Sequence, residues 1–259
     1  MEKNNIYNFY NTIGWKQHKN ITKDSDLFED HRKNSQEYVK KCRQRINKYI
    51  PIKGDHILDF ASGPIQYREY LEYSKNFKFR HCVDFSKEAI SLAKKKLKKR
   101  GKYYCEDFLK IHFKKNFFDC IISLHTIYHI DKSKQKKTIE KLIEIAKPGA
   151  PIIIVYSNPN CLIKNLIKIV KIFLFNKNKN FLYFHTFPNS WWFQFNKFGN
   201  IQIHPWRSFS SQHQKLLFPD NFIGKTLFRI LFFLEDRFKK FFSKYFQYNI
   251  IIITKNLVS

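Results

Sequence analysis

The sequence lacks any uninterrupted apolar run of about 18 residues, so nothing in it is expected to span a membrane. Its N-terminal residues 1–11 are polar and have no signal-peptide apolar core. Five cysteines, Cys42, Cys82, Cys105, Cys120 and Cys161, make an odd number without any C-x-x-C spacing. That argues against a disulfide framework and against a zinc site. Three of them fall in apolar strand-like runs, where cysteine acts as a small hydrophobe, and a reducing, cytoplasmic setting is the natural expectation. Acids are also scarce: 21 Asp and Glu stand against 48 Lys and Arg, a formal charge of +27. Such an excess suits an anionic partner, whether nucleic acid, a phosphorylated substrate or a membrane surface. The lysines are spread along the chain, however, and Lys, Asn, Ile and Phe are in joint excess, as A- and T-rich codons would give. Charge alone names no partner.

What is present is a globular composition. With 259 residues, 43% of them apolar and 27% charged, the chain can bury a sizeable core as one domain with embellishments. Residues 35–49 read as a helix with Tyr38, Val39, Cys42, Ile46 and Tyr49 on one side. A short apolar strand follows, ending Ile57-Leu58-Asp59. It leads through Ala61-Ser62-Gly63 into a helix expected to begin near Pro64. A second strand ends in Asp84, a helix capped by Ser86 is expected to close at Gly101, and a third strand ends at Glu106-Asp107. The apolar run 118–124 has the character of a buried parallel strand, a helix spans 131–146, and Pro148-Gly149 turns into the strand 152–156. Strands alternating with helices at these intervals mean a parallel sheet with right-handed crossovers.

After residue 156 the rhythm changes. A basic, apolar helix over 161–175, with Lys164, Lys168 and Lys171 on one face, precedes an Asn/Lys loop. A helix carrying Trp191, Trp192, Phe195 and Phe198 comes next, then a strand over 201–206, a Phe-rich basic helix or helix pair over 222–246, and a closing strand over 248–254. The basic helices suit either cover for one face of the sheet or contact with an anionic membrane. Four regions result: an N-terminal arm and helix (1–50), an α/β core (51–156), a helical cap (157–200), and closing strands with a basic helical insertion (201–259).

Asp59 and Gly63 in the first turn, Asp84 lying 25 residues on, Asp107-Phe108 after the third strand and Lys147-Pro148-Gly149 before the fifth stand in one recognisable order. Together they resemble the class I S-adenosylmethionine-dependent methyltransferases, in particular the small-molecule enzymes with a Lys-Pro-Gly turn. The resemblance spans roughly residues 50–156. It implies a Rossmann-like, doubly wound α/β fold with a mostly parallel seven-stranded sheet, helices on both faces and an inserted helical cap. By the same resemblance, S-adenosyl-L-methionine is the cofactor. Its methionine portion falls to Asp59, Ala61, Ser62 and Gly63, its ribose to Asp84, and its adenine to Asp107 and Phe108, with Phe85 and Leu124 lining the site. Family turns usually carry three glycines; here Ala61 and Ile65 take the outer positions. The dinucleotide fingerprint G-x-G-x-x-G is absent, which weighs against a dehydrogenase.

Methyl transfer to a hydroxyl needs alignment, exclusion of water and a base. His125, just past the fourth strand, is the first candidate, because a neutral imidazole accepts a proton at pH 7. Tyr128 and His129 stand where relatives often carry His or an aromatic, though His129 equally suits packing of the following helix. His125 and His129 alone make no metal site, for want of a third ligand. Tyr7, Tyr10 and Trp15 fit either a lid over the donor or an arm anchored on the sheet. Arg207 fits an anionic acceptor or a surface carboxylate. The expected activity is O-methylation of a small molecule or a glycan or lipid precursor. N-methylation, an RNA methyltransferase and a non-catalytic scaffold remain alternatives. Nucleic acid is disfavoured by the lack of an Asn-Pro-Pro-Tyr-like motif and of an RNA-binding module.

Overall fold

The protein was analysed as a computed structural model, in which residues 3–18, 21–162 and 182–257 are described. A seven-stranded sheet is built from β3 (Gly54–Phe60), β4 (Phe77–Val83), β5 (Gly101–Tyr104), β6 (Cys120–Leu124), β7 (Pro151–Ser157), β8 (Gly199–Arg207) and β9 (Tyr248–Lys255). Its order is β5-β4-β3-β6-β7-β9-β8; β3 to β7 run parallel and β9 is antiparallel to both of its neighbours. The short strands β1 (Gln17–His18) and β2 (Ile21–Thr22) form a separate hairpin in the N-terminal arm.

The two cores follow from the period-2 alternation of side chains. In β7, Ile152 and Ile154 face one core with Leu58, Ile121, Ile139 and Leu142, the last two from α6 (Lys132–Ile145). Ile153 and Val155 face the other with Ile57, Ile122, Tyr38 and Cys42 of α3 (Lys33–Gln44), and Phe228 and Leu231 of α9 (Phe222–Arg237). A strand buried on both faces therefore reads as an unbroken apolar run. Asp131 caps α6, its side chain accepting from the Ser133 N–H at 2.9 Å. The basic stretch 222–246 is a pair, α9 and α10 (Lys239–Tyr245). Helix α9 covers the sheet with one face only, leaving Phe222, Ile223, Ile230 and Phe233 exposed. Among the described residues no helix is long and apolar enough to cross a membrane. Most of the expected helix over 161–175, including Lys164, Lys168 and Lys171, lies outside the described residues.

Two helix boundaries differ from expectation, both for backbone reasons. The helix after the first turn, α4 (Arg68–Glu72), begins at Arg68, not near Pro64. Ile65 sits at φ 50°, a left-handed conformation that a right-handed helix cannot contain. Helix α5 (Lys87–Leu97) ends at Lys98, itself at φ 51°, so Gly101 is free to open β5. A further helix, α8 (Ser211–Leu217), had no apolar periodicity to reveal it; Ser210 caps it through the His213 N–H at 3.3 Å. Trp191 and Trp192 lie on α7 (Asn189–Trp192), with the Trp192 ring buried against Tyr156. The arm holds α1 (Lys3–Phe9) and α2 (Lys23–Phe28).

Candidate active site

The carboxyl ends of β3, β4, β6, β7 and β8 and the amino end of β9 share one edge of the sheet, where open α/β folds bind their ligands. At the centre is the turn after β3. Its backbone takes left-handed φ at Ala61 (54°), Gly63 (53°) and Ile65 (50°), so the chain keeps glycine's conformation at two positions that have a side chain. The Ile65 side chain is fully buried with Cys82, Ala93 and Leu97, and that packing offsets its backbone strain. The Ser62 N–H donates to the Val83 carbonyl at 3.1 Å, fastening the turn to β4.

Asp84 is buried at the end of β4. Its carboxylate accepts from the backbone N–H of Gly63 (2.9 Å) and of Ser86 (2.9 Å). Burial pushes its pKa up to about 6, against the lowering effect of those two N–H donors. Asp59, expected against the methionine portion, is instead sealed beneath the turn. Only 3% exposed, it pairs with Arg80 of β4 through the Arg80 Nε (3.1 Å) and Nη2 (2.5 Å). Phe108 is likewise turned into the core, its ring 4.5 Å from that of Phe60, whereas Asp107 is exposed and accepts from the Leu109 N–H. Phe85 and Leu124 are half-buried at the edge.

The N-terminal arm lies on this turn. The Trp15 indole rests against Gly63 so closely that a Cβ there would come within 3.2 Å of its ring. Tyr10 stacks on Trp15 with centroids 5.0 Å apart, and its carbonyl accepts from the Ser86 hydroxyl at 3.0 Å. Tyr7 packs on Phe85. The Tyr10 hydroxyl donates to Asp24 at 3.0 Å, and burial raises the Asp24 pKa to about 6.

On the other side of β6, His125 adopts φ 60°, and its Nδ1 lies 3.0 Å from the Tyr128 hydroxyl. Its ring meets those of Trp206 (4.4 Å) and Tyr248 (5.3 Å). Burial first, then the guanidiniums of Arg207 and Arg43, hold this imidazole well below its ordinary range, so it is uncharged at neutral pH. Tyr128 is buried and its pKa is raised. His129 points elsewhere: its Nδ1 is 2.7 Å from the Tyr183 carbonyl, a strut between the fourth-strand loop and the chain at 183. The structure thus joins His125 to Tyr128 by a hydrogen bond, while His129 packs edge-on against the Tyr128 ring (4.6 Å) and turns its Nδ1 away to Tyr183. It also shows three participants that sequence patterns did not single out: Arg80, Asp24 and Tyr248. Arg80 had a signal, a charge set between Phe79 and Cys82 within a strand whose far half is buried. Among the described residues no group of three or more His, Cys, Asp or Glu is placed to hold a metal.

This strand order, with its antiparallel last pair and its ligand edge at the first turn, defines the class I fold of S-adenosylmethionine-dependent methyltransferases. Residues 58–154 match the family described as methyltransferase domain, and they are such a domain. Similar solved structures include a methyltransferase from Archaeoglobus fulgidus (18% identity, TM-score 0.56, covering 85% of this chain and 95% of that one). A second is phosphoethanolamine N-methyltransferase 2 from Haemonchus contortus with S-adenosyl-L-methionine bound (15% identity, TM-score 0.54, 84% of this chain). This chain spans about half (52%) of the length of that nematode enzyme. A third is a putative methyltransferase from Haloferax volcanii in complex with the Trm112 activator (13%, TM-score 0.53, 85% and 89%). No curated protein matches the sequence.

The residues at the turn fit such a donor. Gly63 exposes bare backbone that the Trp15 ring alone covers, and the buried Asp84 carboxylate retains lone pairs beyond those it gives to the Gly63 and Ser86 N–H groups.

Proposed function

We propose that the chain is a methyltransferase that moves the methyl group of S-adenosylmethionine to a hydroxyl of a small molecule or of a glycan or lipid precursor. The observation that supports this best is the Gly63–Asp84 contact at a left-handed turn facing the ligand edge. When bound, the donor supplies an electrophilic methyl on a positively charged sulfur. Asp84 receives the ribose hydroxyls, Gly63 lets the backbone approach, and Trp15 and Tyr10 close over the turn to keep water out. Trp15 lifts from Gly63 to let the donor in. His125 takes the acceptor's proton at Nε2, and for that its Nδ1–H must point to the Tyr128 oxygen, so Tyr128 fixes the tautomer. Its lowered pKa makes His125 a weak base, which suffices where the hydroxyl becomes acidic as the new C–O bond forms.

The same weakness favours a second reading, an amine acceptor. A neutral amine attacks without prior loss of a proton, and two of the similar structures are described as phosphoethanolamine N-methyltransferases. Calorimetric titration with S-adenosylhomocysteine tests the donor site. The parent protein should bind it, and Asp84→Asn should bind it at least about tenfold more weakly while retaining its thermal transition. Lack of binding to the parent protein overturns the reading.

A further inference from the structure

Four arginines are buried among the described residues, and three of them are paired. Arg80 pairs with Asp59, Arg45 with Glu235 at 2.7 Å and Arg43 with Glu29 at 3.5 Å. The fourth, Arg207, is only 9% exposed and has no carboxylate within ion-pair reach. Its sole hydrogen bond is a long one from Nη1 to the Ser211 hydroxyl (3.5 Å), and its Nε–H is buried without a partner. The nearest acid along the fold is already committed: Glu235 takes Arg45, the Tyr38 hydroxyl and both the N–H and the hydroxyl of Ser208. Of the residues outside the described ones, only Glu2 is acidic, and none of residues 163–181 is.

A local distortion puts this cation at the site. Between Pro205, which pairs with Asn249, and Arg207, which pairs with Tyr248, Trp206 is an extra residue in β8. Such a bulge turns two successive side chains toward one face, and proline, lacking an N–H, suits the place where the ladder is interrupted. Trp206 consequently meets His125, while the Arg207 guanidinium lies 5.1 Å from the Trp206 ring and 5.0 Å from that of Tyr248. The Trp206 indole N–H is buried and unpartnered as well. Two neighbouring donors without an acceptor, one of them charged, sit beside the imidazole assigned to the acceptor's proton. A guanidinium taken from water without a counter-charge is costly, and its open Nε side matches the paired oxygens of a carboxylate or phosphate.

We infer that Arg207, set beside Trp206 by the bulge, binds an oxyanion on the methyl acceptor, so that the enzyme selects small molecules carrying a carboxylate or a phosphate. This rests on the methyltransferase reading for the word acceptor, but not for the anion site itself.

The test uses the full chain, the variant Arg207→Met, and three probes at matched ionic strength: inorganic phosphate, acetate and chloride. Phosphate or acetate should bind the parent protein saturably in calorimetry and raise its melting temperature, with chloride inert. The stronger of the two then names the oxyanion. In Arg207→Met that binding should fall about tenfold or more, with S-adenosylhomocysteine affinity unchanged. Arg207→Lys, a point charge without the fork, should recover only part of it. The inference is overturned if neither anion binds saturably, or if binding persists in Arg207→Met. Should Arg207→Met fail to fold, Arg207→Lys takes its place: a partial loss of anion binding supports the site, and undiminished binding counts against it. Anion binding without homocysteine-donor binding would sink the methyltransferase reading and leave the oxyanion site standing.

Discussion

Two buried arginines of one sheet, Arg80 within β4 and Arg207 at the end of the far edge strand β8, have opposite circumstances. Arg80 lies under the donor turn with its charge matched by Asp59, and it also reaches the Tyr70 carbonyl. Arg207 lies beside His125 with its Nε–H unpartnered and no acid paired with it among the described residues. The first is finished within the chain and serves the fold. The second is unfinished within the chain, which is the condition of a group that serves a ligand. Sequence alone does not separate them, since each is the one arginine of its strand.

Mutation is the direct way to break this contrast. Arg80→Met strands a buried carboxylate and should cost about 3–5 kcal/mol in denaturant unfolding, because removing one partner leaves the other charge uncompensated. Arg207→Met strands no carboxylate and gives up only the contacts with Trp206, Tyr248 and Ser211, so it should cost about 1 kcal/mol or less. Equal losses in the two variants would erase the distinction.

A second difference is one of pH. The Asp84 carboxyl titrates near 6 in the folded chain, above its ordinary value of 3.8, because burial disfavours the charge. A raised folded pKa gives stability that is complete below pH 4 and lost as pH rises through about 6, on the order of 3 kcal/mol for this group. Donor affinity should run the other way, since the ionised carboxylate is the better acceptor for ribose hydroxyls. Affinity for S-adenosylhomocysteine should therefore rise from pH 5 to pH 7 while the melting temperature falls, and Asp84→Asn should flatten both curves. Parallel curves in the parent protein would show that Asp84 does not face the donor.

The smallest effects sharpen the turn itself. Ala61→Gly keeps φ 54° with a residue that tolerates it, and should stabilise by about 0.5–1 kcal/mol. Ile65→Gly gains the same backbone relief but empties a fully buried position, and should destabilise by about 2 kcal/mol net. Chemical denaturation of the two variants distinguishes conformation from packing at positions only four residues apart.

Much of the core was legible because its signals are local. Apolar runs gave β6 and β7, Ser86 and Asp131 gave helix starts, and the spacing from Asp59 to Asp84 gave the ligand edge. The turn was harder. Ile65 stands where the family usually carries glycine, yet the backbone is left-handed there all the same, because burial against Ala93 and Leu97 outweighs the strain. Asp59 was assigned by pattern to the ligand, and only three-dimensional pairing shows that Arg80 claims it. The acceptor side was the least legible. His125, Trp206, Arg207 and Tyr248 come from separate stretches and meet through a bulge whose only trace in the sequence is Pro205.

The stack of Tyr10 on Trp15, laid over Gly63, has an optical consequence. Of the chain's four tryptophans, Trp192 and Trp206 are fixed in buried surroundings, while Trp15 rests on the spot any donor must reach. On the proposed reading the Trp15 fluorescence should change when a donor takes its place on Gly63, which would give the molecule its own gauge of donor arrival. Binding can be followed in the unlabelled protein, and Trp15→Phe should lose the donor-dependent change while keeping the signal of the other three tryptophans.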